Sequence, residues 1–147
     1  MTQQRVNNQT PVYTLSIVSE LSGIPVHSIR QYIDKGLIVP FTKESNRHLF
    51  SQIDISRLKY IQRQLTEDGL NIAGIRKQLA MIPCWAVRSC GKEERERCQA
   101  YCSDTYPCWD ASEKGPTCRN TDCRECEVYS VVEDYPDIKT FIKTLIQ

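Results

Sequence analysis

The spacing of apolar and turn residues over residues 13–79 is the feature that most constrains how this chain folds. Thr14 is placed to cap a first helix over residues 15–21, and Gly23 gives the backbone the freedom that a tight turn after that helix needs. A second helix is predicted over residues 26–35. The side chains predicted to face the core recur at helical spacing: Leu15, Val18 and Leu21 in the first helix, and Ile29, Tyr32 and Ile33 in the second. Two short helices joined by a glycine-containing turn indicate a helix-turn-helix.

A small hairpin and two more helices are predicted after this pair. Short apolar runs at residues 37–40 and 48–50 flank a polar turn, and together they predict a two-stranded wing. Ser51 and Asn71 are placed to cap a third and a fourth helix, and Pro83 ends the fourth. The expected unit over residues 13–82 is therefore a winged helix-turn-helix.

The outward face of the second helix and the wing carry the candidate DNA-binding residues. Polar and cationic side chains on a helix suit base edges and phosphates in the major groove. The predicted DNA-binding residues are His27, Ser28, Arg30 and Gln31 in the second helix, and Lys43, Arg47 and His48 in the wing. Two alternatives stay open: Arg30 pairs with Asp34 one helical turn away, or His48 only packs at the surface of the wing.

The charge of the chain is divided between its two halves. Residues 1–82 contain ten Lys and Arg against six Asp and Glu, a net charge of +4, whereas residues 83–147 contain nine against twelve, a net charge of −3. A basic first half is consistent with contact to a polyanion such as DNA. The excess is small, so it supports that interpretation without establishing it.

No segment predicts export or attachment to a membrane. The apolar runs are far too short to span a bilayer, and the polar residues 1–12 lack the apolar stretch of a signal peptide. We therefore predict a loose tail over residues 1–12, a cytoplasmic protein and no membrane partner.

Four pieces of the chain resemble the DNA-binding domain of the MerR family of bacterial transcriptional regulators. They are YTLSIVSELSG at 13–23, SIRQYIDKGLI at 28–38, the wing ending HLFS at 48–51, and the helix pair over 54–79, whose GLNIAGIRKQL resembles the heat-shock-repressor branch. The resemblance implies a homodimer on an inverted repeat in double-stranded promoter DNA. It also implies DNA contacts by Arg30, Arg47 and His48, and makes RNA polymerase a further candidate partner.

The chain departs from that family at three places. The family usually has two aromatic residues and a glutamate after the recognition-helix arginine, whereas this chain has Gln31, Tyr32 and Ile33. Pro25 stands where a capping serine is usual. Pro83 and the cysteines after it interrupt the long dimerisation helix that the family has next. The family's usual dimer geometry is therefore not expected here.

All eight cysteines lie in one segment, between residues 84 and 126. In a reducing compartment such a cluster is more often metal-binding or redox-active than a set of disulfides. The segment contains no histidine, and an all-thiolate site suits zinc or an iron–sulfur cluster. Its few aliphatic residues also predict that metal binding supplies folding energy. The predicted ligands are Cys84, Cys90, Cys98, Cys108, Cys118, Cys123 and Cys126, with Cys102 as an extra.

This segment resembles a small bacterial cysteine-rich module with two Cys-Trp pairs, which is found attached to sensory and regulatory proteins. The matching motifs are PCW at 83–85, PCW at 107–109, CQAY at 98–101 and CREC at 123–126. Several states stay open for the eight thiols: two four-cysteine zinc sites, one iron–sulfur cluster with spare thiols, disulfides, or inert buried thiols. Trp85 and Trp109 are as readily core residues as partners of a cofactor.

The predicted fold class is mainly α. Its parts are a tail (1–12), the winged helix-turn-helix (13–82), a cysteine-rich, metal-stabilised module that senses metal or redox state (83–130), and a C-terminal segment (131–147). In that last segment Pro136 begins a helix with an apolar stripe of Ile138, Phe141, Ile142 and Leu145, for packing or for dimerisation.

The predicted function is a transcriptional regulator that binds promoter DNA as a dimer and is controlled by a metal centre or by the redox state of its cysteines. The alternative is a constitutive DNA-binding regulator whose zinc or disulfides are purely structural. An excisionase-like protein that bends DNA without an effector shares the winged fold, but it leaves the cysteine segment unexplained. An enzyme is not predicted, because nothing outside the cysteines offers a base, an oxyanion site or a nucleotide cradle.

Overall fold

The structure, a computed structural model that describes residues 7–146, is mainly helical with one small sheet, which confirms the predicted fold class. The strands are β1 Tyr13–Thr14, β2 Phe41–Thr42 and β3 His48–Phe50. The helices are α1 Leu15–Ser22, α2 Val26–Asp34, α3 Gln52–Thr66, α4 Ile72–Ala80, α5 Cys84–Val87, α6 Lys92–Glu96, α7 Gln99–Cys102, α8 Pro116–Arg119, α9 Val131–Asp134 and α10 Ile138–Leu145. Two 3-10 turns lie at Cys108–Asp110 and Cys123–Glu125. No helix within residues 7–146 has the length and apolar character needed to cross a membrane.

Helices α1 and α2 form the predicted helix-turn-helix. The Thr14 side chain caps α1 by accepting a hydrogen bond from Ile17 N at 3.4 Å. Gly23 ends that helix with a φ of 73°, a left-handed conformation that favours glycine. The predicted inward position of Leu21 is wrong, because its side chain is 53% exposed. The short α1 presents only Val18 fully to the core, so its apolar stripe is narrower than the sequence suggests.

The sheet is antiparallel in the order β1-β3-β2. In β2–β3, which forms the wing, Phe41 is opposite Leu49 and Thr42 is opposite His48. The prediction of the first wing strand at residues 37–40 is wrong, since that strand begins at Phe41. Leu37 and Ile38 are instead both buried. A wing strand with one solvent face does not allow two consecutive buried side chains.

Both predicted caps after the wing are present. Ser51 and Asp54 form a capping box at the start of α3, in which Ser51 N donates to Asp54 Oδ2 at 2.8 Å and Asp54 N donates to Ser51 Oγ at 3.3 Å. Gly74 N donates to the Asn71 side chain at 2.8 Å and so begins α4. These local signals place the two helices as the sequence predicts.

Part of the predicted N-terminal tail is attached to the rest of the molecule. Val12 N donates to Phe50 O at 3.0 Å, and Ile53 N donates to Asn8 O at 3.0 Å. Gln9 Nε2 reaches Glu125 O at 3.3 Å. Residues 7–12 therefore contact both the wing and the cysteine segment, and residues 1–6 of the predicted tail lie outside the described residues.

The cysteine segment and the C-terminal helix share one hydrophobic core with the helix-turn-helix. Val128, Tyr129 and Val131 pack in the same cluster as the buried side chains of α3. Ile138 and Phe141 of α10 also join this cluster, whereas Leu145 is 40% exposed. Most of the buried apolar residues after Pro83 thus pack against residues 13–82, while Cys98, Ala100 and Ala111 form a small separate cluster within the cysteine segment.

Candidate functional site

One cleft gathers basic residues of α2, the predicted recognition helix, and of the wing. Its lining comprises Arg30 from α2, Lys43, Arg47 and His48 from the wing, and Thr14, Leu15 and Ser16 from the start of α1. Arg30, Lys43 and Arg47 are all exposed. Four of the seven predicted DNA-binding residues therefore meet on one positively charged surface.

The other three predicted DNA-binding residues lie outside this cleft. His27 and Gln31 are exposed on α2, while Ser28 is half-buried in its first turn and Ser28 N donates to Pro25 O at 3.0 Å. The cleft also contains Asn46, which sequence reasoning missed. Asn46 has a φ of 62°, and an asparagine in a polar turn is the signal that predicts such a conformation.

The two alternatives for Arg30 and His48 have different outcomes. Within residues 7–146, Arg30 forms no salt bridge with Asp34. His48 does take part in the packing of the wing, because its Nδ1 lies 3.1 Å from Thr42 Oγ1 and its ring meets the Phe50 ring edge-on at 6.5 Å. Arg30 is therefore free to meet a ligand, whereas one nitrogen of His48 already has a partner.

The end of the recognition helix is in direct contact with the second Cys-Trp pair. Trp109 Nε1 donates a buried 2.8 Å hydrogen bond to Gly36 O. The Asp110 carboxylate lies against Gly36, where an added Cβ would come within 2.7 Å of it. Arg76 of α4 pairs with Asp110 at 3.0 Å and also donates to Lys35 O. The residues after Cys108 therefore hold the turn that ends α2.

Arg57 of α3 is fully buried and joins the same parts of the molecule. Its guanidinium lies 4.6 Å from the centre of the Trp109 ring and 4.5 Å from that of the Tyr129 ring, which are cation–π distances. It donates to Leu37 O at 3.1 Å and to Tyr129 O. Burial lowers the pKa of Arg57, but a guanidinium keeps its charge in proteins. A buried cation thus connects the chain after α2 with the segment around the second Cys-Trp pair.

The Tyr129 hydroxyl completes this buried network. It donates to Asp54 Oδ1 at 2.8 Å and accepts from Val39 N at 3.0 Å. Burial raises the pKa of the Tyr129 phenol, and burial also raises the pKa of the Asp54 carboxyl despite its hydrogen bonds to Ser51 and Tyr129. The capping box of α3 is therefore tied to the cysteine segment through one phenol.

Seven of the eight cysteines line two small adjoining pockets. The larger pocket is lined by Cys84, Cys108, Cys118, Cys123 and Cys126. The smaller one is lined by Cys84, Cys90, Cys98 and Cys118. The exposed Cys102 lines neither, and its Sγ lies 3.6 Å from Arg95 O and from Glu96 O. All eight cysteines are free thiols in the structure.

Burial and mutual proximity disfavour thiolates in these pockets. Burial, followed by the nearby Cys118, Cys98 and Cys90, raises the pKa of Cys84 to about 11. Burial also raises the pKa of Cys108 well above its usual range, and it raises that of Cys118 although Arg88 opposes the shift. A cation among these thiols would act in the opposite direction and favour the thiolate form.

The donor set fits a metal–thiolate centre, but the sulfur atoms are not converged. Sulfur is the donor that zinc and iron–sulfur clusters accept in fours. Within residues 7–146, no three His, Cys, Asp or Glu side chains stand together at the spacing of metal ligands. The thiols would have to turn about their side-chain torsions to share an ion.

Two basic residues that sequence reasoning missed stand among the thiols. Arg88 lines both pockets, and its Nη2 donates to Thr121 Oγ1 at 2.8 Å. Lys114 Nζ lies 3.4 Å from Cys123 Sγ. No spacing rule links Arg88 or Lys114 to the cysteines, so only the tertiary fold reveals them.

Comparison with known proteins assigns the first part of the chain. Residues 13–82, which form β1 to α4, match the family described as MerR HTH family regulatory protein. The chain is 33% identical over 72 residues to a putative heat shock protein HspR of Streptomyces coelicolor, a match that covers 49% of this chain and 48% of that protein. It is 37% identical over 71 residues to the HTH-type transcriptional regulator GlnR of Bacillus anthracis, which covers 48% and 54%.

A further match is to the HTH-type transcriptional regulator TnrA of Bacillus subtilis, with 37% identity over 68 residues, or 46% of this chain and 61% of that protein. The chain therefore spans about half the length of the first two of these relatives and three fifths of the third. The first of these relatives is described as a putative heat shock protein and the other two as HTH-type transcriptional regulators, and none of the three is described as an enzyme.

Proposed function

Residues 13–82 are a helix-turn-helix domain of the MerR family, and from this premise we propose that the chain is a DNA-binding transcriptional regulator. It binds promoter DNA as a homodimer, and its DNA binding is controlled by a metal centre or by the redox state of the cysteine cluster. The relatives described as transcriptional regulators support the first part of the proposal. The geometry of the cysteine segment supports the second.

The DNA-binding part of the proposal is supported by the basic cleft. An exposed Arg30 on the recognition helix suits the major groove, and Lys43 and Arg47 in the wing suit the flanking phosphates. Two such units related by a two-fold axis read two half-sites of an inverted repeat. The excess of basic over acidic residues before residue 83 also favours binding of DNA by this part of the chain.

The observation that carries the regulatory part is the hydrogen bond from Trp109 Nε1 to Gly36 O. Trp109 follows Cys108, which lines the larger thiol pocket, and Gly36 is in the turn that ends the recognition helix. A shift of Cys108 toward a shared ion or a disulfide partner would move the Trp109 ring. That ring also covers the buried Arg57, so the change would reach α3 as well.

The cysteines that line the two pockets are the residues that would hold a metal centre. When bound there, zinc or an iron–sulfur cluster would keep the thiols ionised and tie together segments that are far apart in sequence. The chain's own residues would transmit this change to α2. Trp109 and Asp110 fix the end of α2, and Arg57 fixes the position of the segment that carries them.

The test uses the full chain, purified without oxygen, and a duplex selected by the chain from a random pool. Metal and sulfide content and the visible spectrum are measured first, and DNA affinity is then measured by fluorescence anisotropy before and after chelation or oxidation. We expect the selected duplex to be an inverted repeat. We also expect chelation or oxidation to change the DNA affinity by about tenfold, or about 1.4 kcal/mol. Failure to enrich any inverted repeat would contradict DNA binding by a dimer.

A constitutive regulator with a purely structural cysteine segment is the second candidate function. The shared core favours it, because Val128, Tyr129 and Val131 stabilise the helix-turn-helix whatever the state of the thiols. In this case chelation or oxidation lowers the free energy of unfolding but leaves the DNA affinity of the remaining folded protein unchanged. The same titrations therefore separate the two functions.

A further inference from the structure

We propose that the cysteine cluster is one binuclear metal–thiolate centre, in which Cys84 and Cys118 each bridge two tetrahedral metal ions. This inference rests on the metal-binding part of the proposed function and specifies its ligands. One ion takes Cys90 and Cys98 as its other two ligands. The second takes two of the three remaining pocket thiols, Cys108, Cys123 and Cys126.

The first argument is the way in which the two pockets share their walls. The pockets have three residues in common, Cys84, Arg88 and Cys118. Two shared thiols between adjoining pockets are the arrangement that two bridging thiolates require. Independent sites would instead have separate sets of cysteines.

The second argument is the number of thiols. A tetrahedral ion in a structural thiolate site takes four ligands, so two independent sites need eight cysteines. The exposed Cys102 lines neither pocket and its thiol is directed at the carbonyls of Arg95 and Glu96. With the seven cysteines that remain, two ions that take only thiolate ligands complete their ligand shells by sharing thiolates.

The third argument is the charge around the pockets. Two divalent ions with six thiolates form a dianion, and Arg88 and Lys114 line the larger pocket as its counter-charges. Three buried arginine Nε–H groups have no hydrogen-bond partner among the described residues, and two of the three belong to Arg88 and Arg95. Both arginines line the smaller pocket. Metal-bound thiolate sulfur is the acceptor that such donors lack, and donors of this kind are typical second-shell partners of metal sites.

The local structure allows the thiols to converge without unfolding the segment. Cys84 is the first residue of α5, and Cys108 and Cys123 each begin a 3-10 turn. Cys118 lies in the four-residue helix α8. A change of side-chain torsion on such short elements redirects a sulfur atom while the backbone hydrogen bonds of the turn remain.

The experiment is NMR spectroscopy on the full chain loaded anaerobically with an NMR-active cadmium isotope as a tetrahedral probe. The expected result is about two cadmium ions per chain, with two cadmium resonances. The β-protons of Cys84 and of Cys118 should each correlate with both resonances, and those of Cys90 and Cys98 with only one. Because this measurement uses the unaltered sequence, it does not depend on how well a variant folds.

Variants add a second test with a matched control. Cys84→Ser removes a bridge and should lower the cadmium content from two ions to one or none. Cys102→Ser should keep both ions and both resonances, because the Cys102 thiol is outside the pockets.

Three results would overturn the binuclear centre: two cadmium resonances with no cysteine in common, saturation by a single ion, or assembly of one four-iron cluster by four cysteines from iron and sulfide. These results do not depend on DNA. If two bridged ions bind but chelation leaves DNA affinity unchanged, the proposed regulation fails while the centre stands. If affinity responds to metal but the ions share no thiolate, the binuclear centre fails while the proposed function stands.

Discussion

Trp109 and Gly36 are joined by a buried 2.8 Å hydrogen bond from the indole Nε1 to the carbonyl oxygen, across 73 residues of sequence. The contact links a residue of the cysteine segment to the turn that ends α2. It is supported on one side by Asp110 and Arg76 and on the other by Arg57. The orientation of α2 therefore depends on residues that follow the helix-turn-helix in sequence.

Replacing Trp109 with Phe should separate this hydrogen bond from the packing of the ring. Phe keeps an aromatic face for Arg57 but leaves the buried Gly36 carbonyl without its donor, which costs about 1–3 kcal/mol. We expect a loss of that size in urea unfolding and a weaker response of DNA affinity to metal or oxidant. Trp85→Phe is the matched control, since Trp85 is 38% exposed in the other Cys-Trp pair. Equal effects from both substitutions would contradict the assigned role of Trp109.

A methyl group at Gly36 should destabilise the protein through two separate effects. The φ of 72° strains any L-residue, and the new Cβ would lie 2.6 Å from Asp110 Cγ. Gly69→Ala is the matched control, because Gly69 has a φ of 69° and an added Cβ there meets no described atom within 4 Å. Strain alone costs of order 1–3 kcal/mol, so Gly36→Ala should lower the free energy of unfolding by more than Gly69→Ala.

Combining Gly36→Ala with Asp110→Ala tests whether the clash with Asp110 causes the extra destabilisation of Gly36→Ala relative to Gly69→Ala. Removing the carboxylate relieves the clash, so the double variant should be less destabilised than the two single variants predict together. Strict additivity in urea unfolding would show that Asp110 does not press on the α2 turn.

Replacing Arg30 with Ala should weaken binding to the selected duplex without unfolding the protein. Arg30 is exposed and forms no salt bridge among the described residues, so its loss removes DNA contacts alone. A base-contacting arginine is worth about 1–3 kcal/mol, or about five- to 150-fold in affinity. Lys59→Ala on the exposed face of α3 is the control and should bind DNA normally. If Arg30→Ala binds the duplex with unchanged affinity at physiological salt, the assignment of α2 to the DNA interface is wrong.

Tyr60 should make the protein lose stability in alkaline solution. Burial raises the pKa of Tyr60 from 10.0 to about 12, and its hydroxyl donates to Gln78 Oε1 at 2.5 Å. The folded state therefore holds this proton more tightly than the unfolded state. The contribution is complete below the unfolded pKa and is lost as the pH rises through the folded pKa.

Between pH 10 and 12 the free energy of unfolding should fall by about 2 kcal/mol through Tyr60, because each pKa unit corresponds to about 1.4 kcal/mol. Tyr60→Phe should remove this part of the pH dependence, while Tyr101→Phe, at a 41% exposed position, should leave it in place. The measurement is the free energy of urea unfolding of the three proteins across this range. If the free energy of unfolding depends on pH in the same way for the natural chain and for Tyr60→Phe, the raised pKa of Tyr60 is contradicted.

The helix-turn-helix could be predicted from sequence because its signals are local. The caps Thr14, Ser51 and Asn71 and the turn at Gly23 each act over three or four residues, and the structure has them all. The first wing strand was misplaced because the apolar run at 37–40 serves the core instead. A strand and a buried loop of that length have the same apolar pattern.

The contacts of the cysteine segment with the first domain could not be predicted. Arg57 is a cation in a helix, which a sequence pattern assigns to the surface, yet two aromatic rings and two carbonyl groups make its burial favourable. Those partners are 52 and 72 residues away in sequence, at Trp109 and Tyr129. Sequence spacing predicted a metal-binding cluster, but the two pockets and the place of Cys84 and Cys118 in both of them require the fold.

The burial of Arg57 limits how this helix-turn-helix can be recombined with other C-terminal segments. A chimaera that joined residues 1–82 to a different segment would keep the guanidinium but lose both rings and the Tyr129 carbonyl. An unpaired buried cation is strongly destabilising. A helix-turn-helix with this arginine can therefore exchange the segment that follows it only if the new one brings an aromatic cage of its own, or if position 57 becomes apolar in the same step.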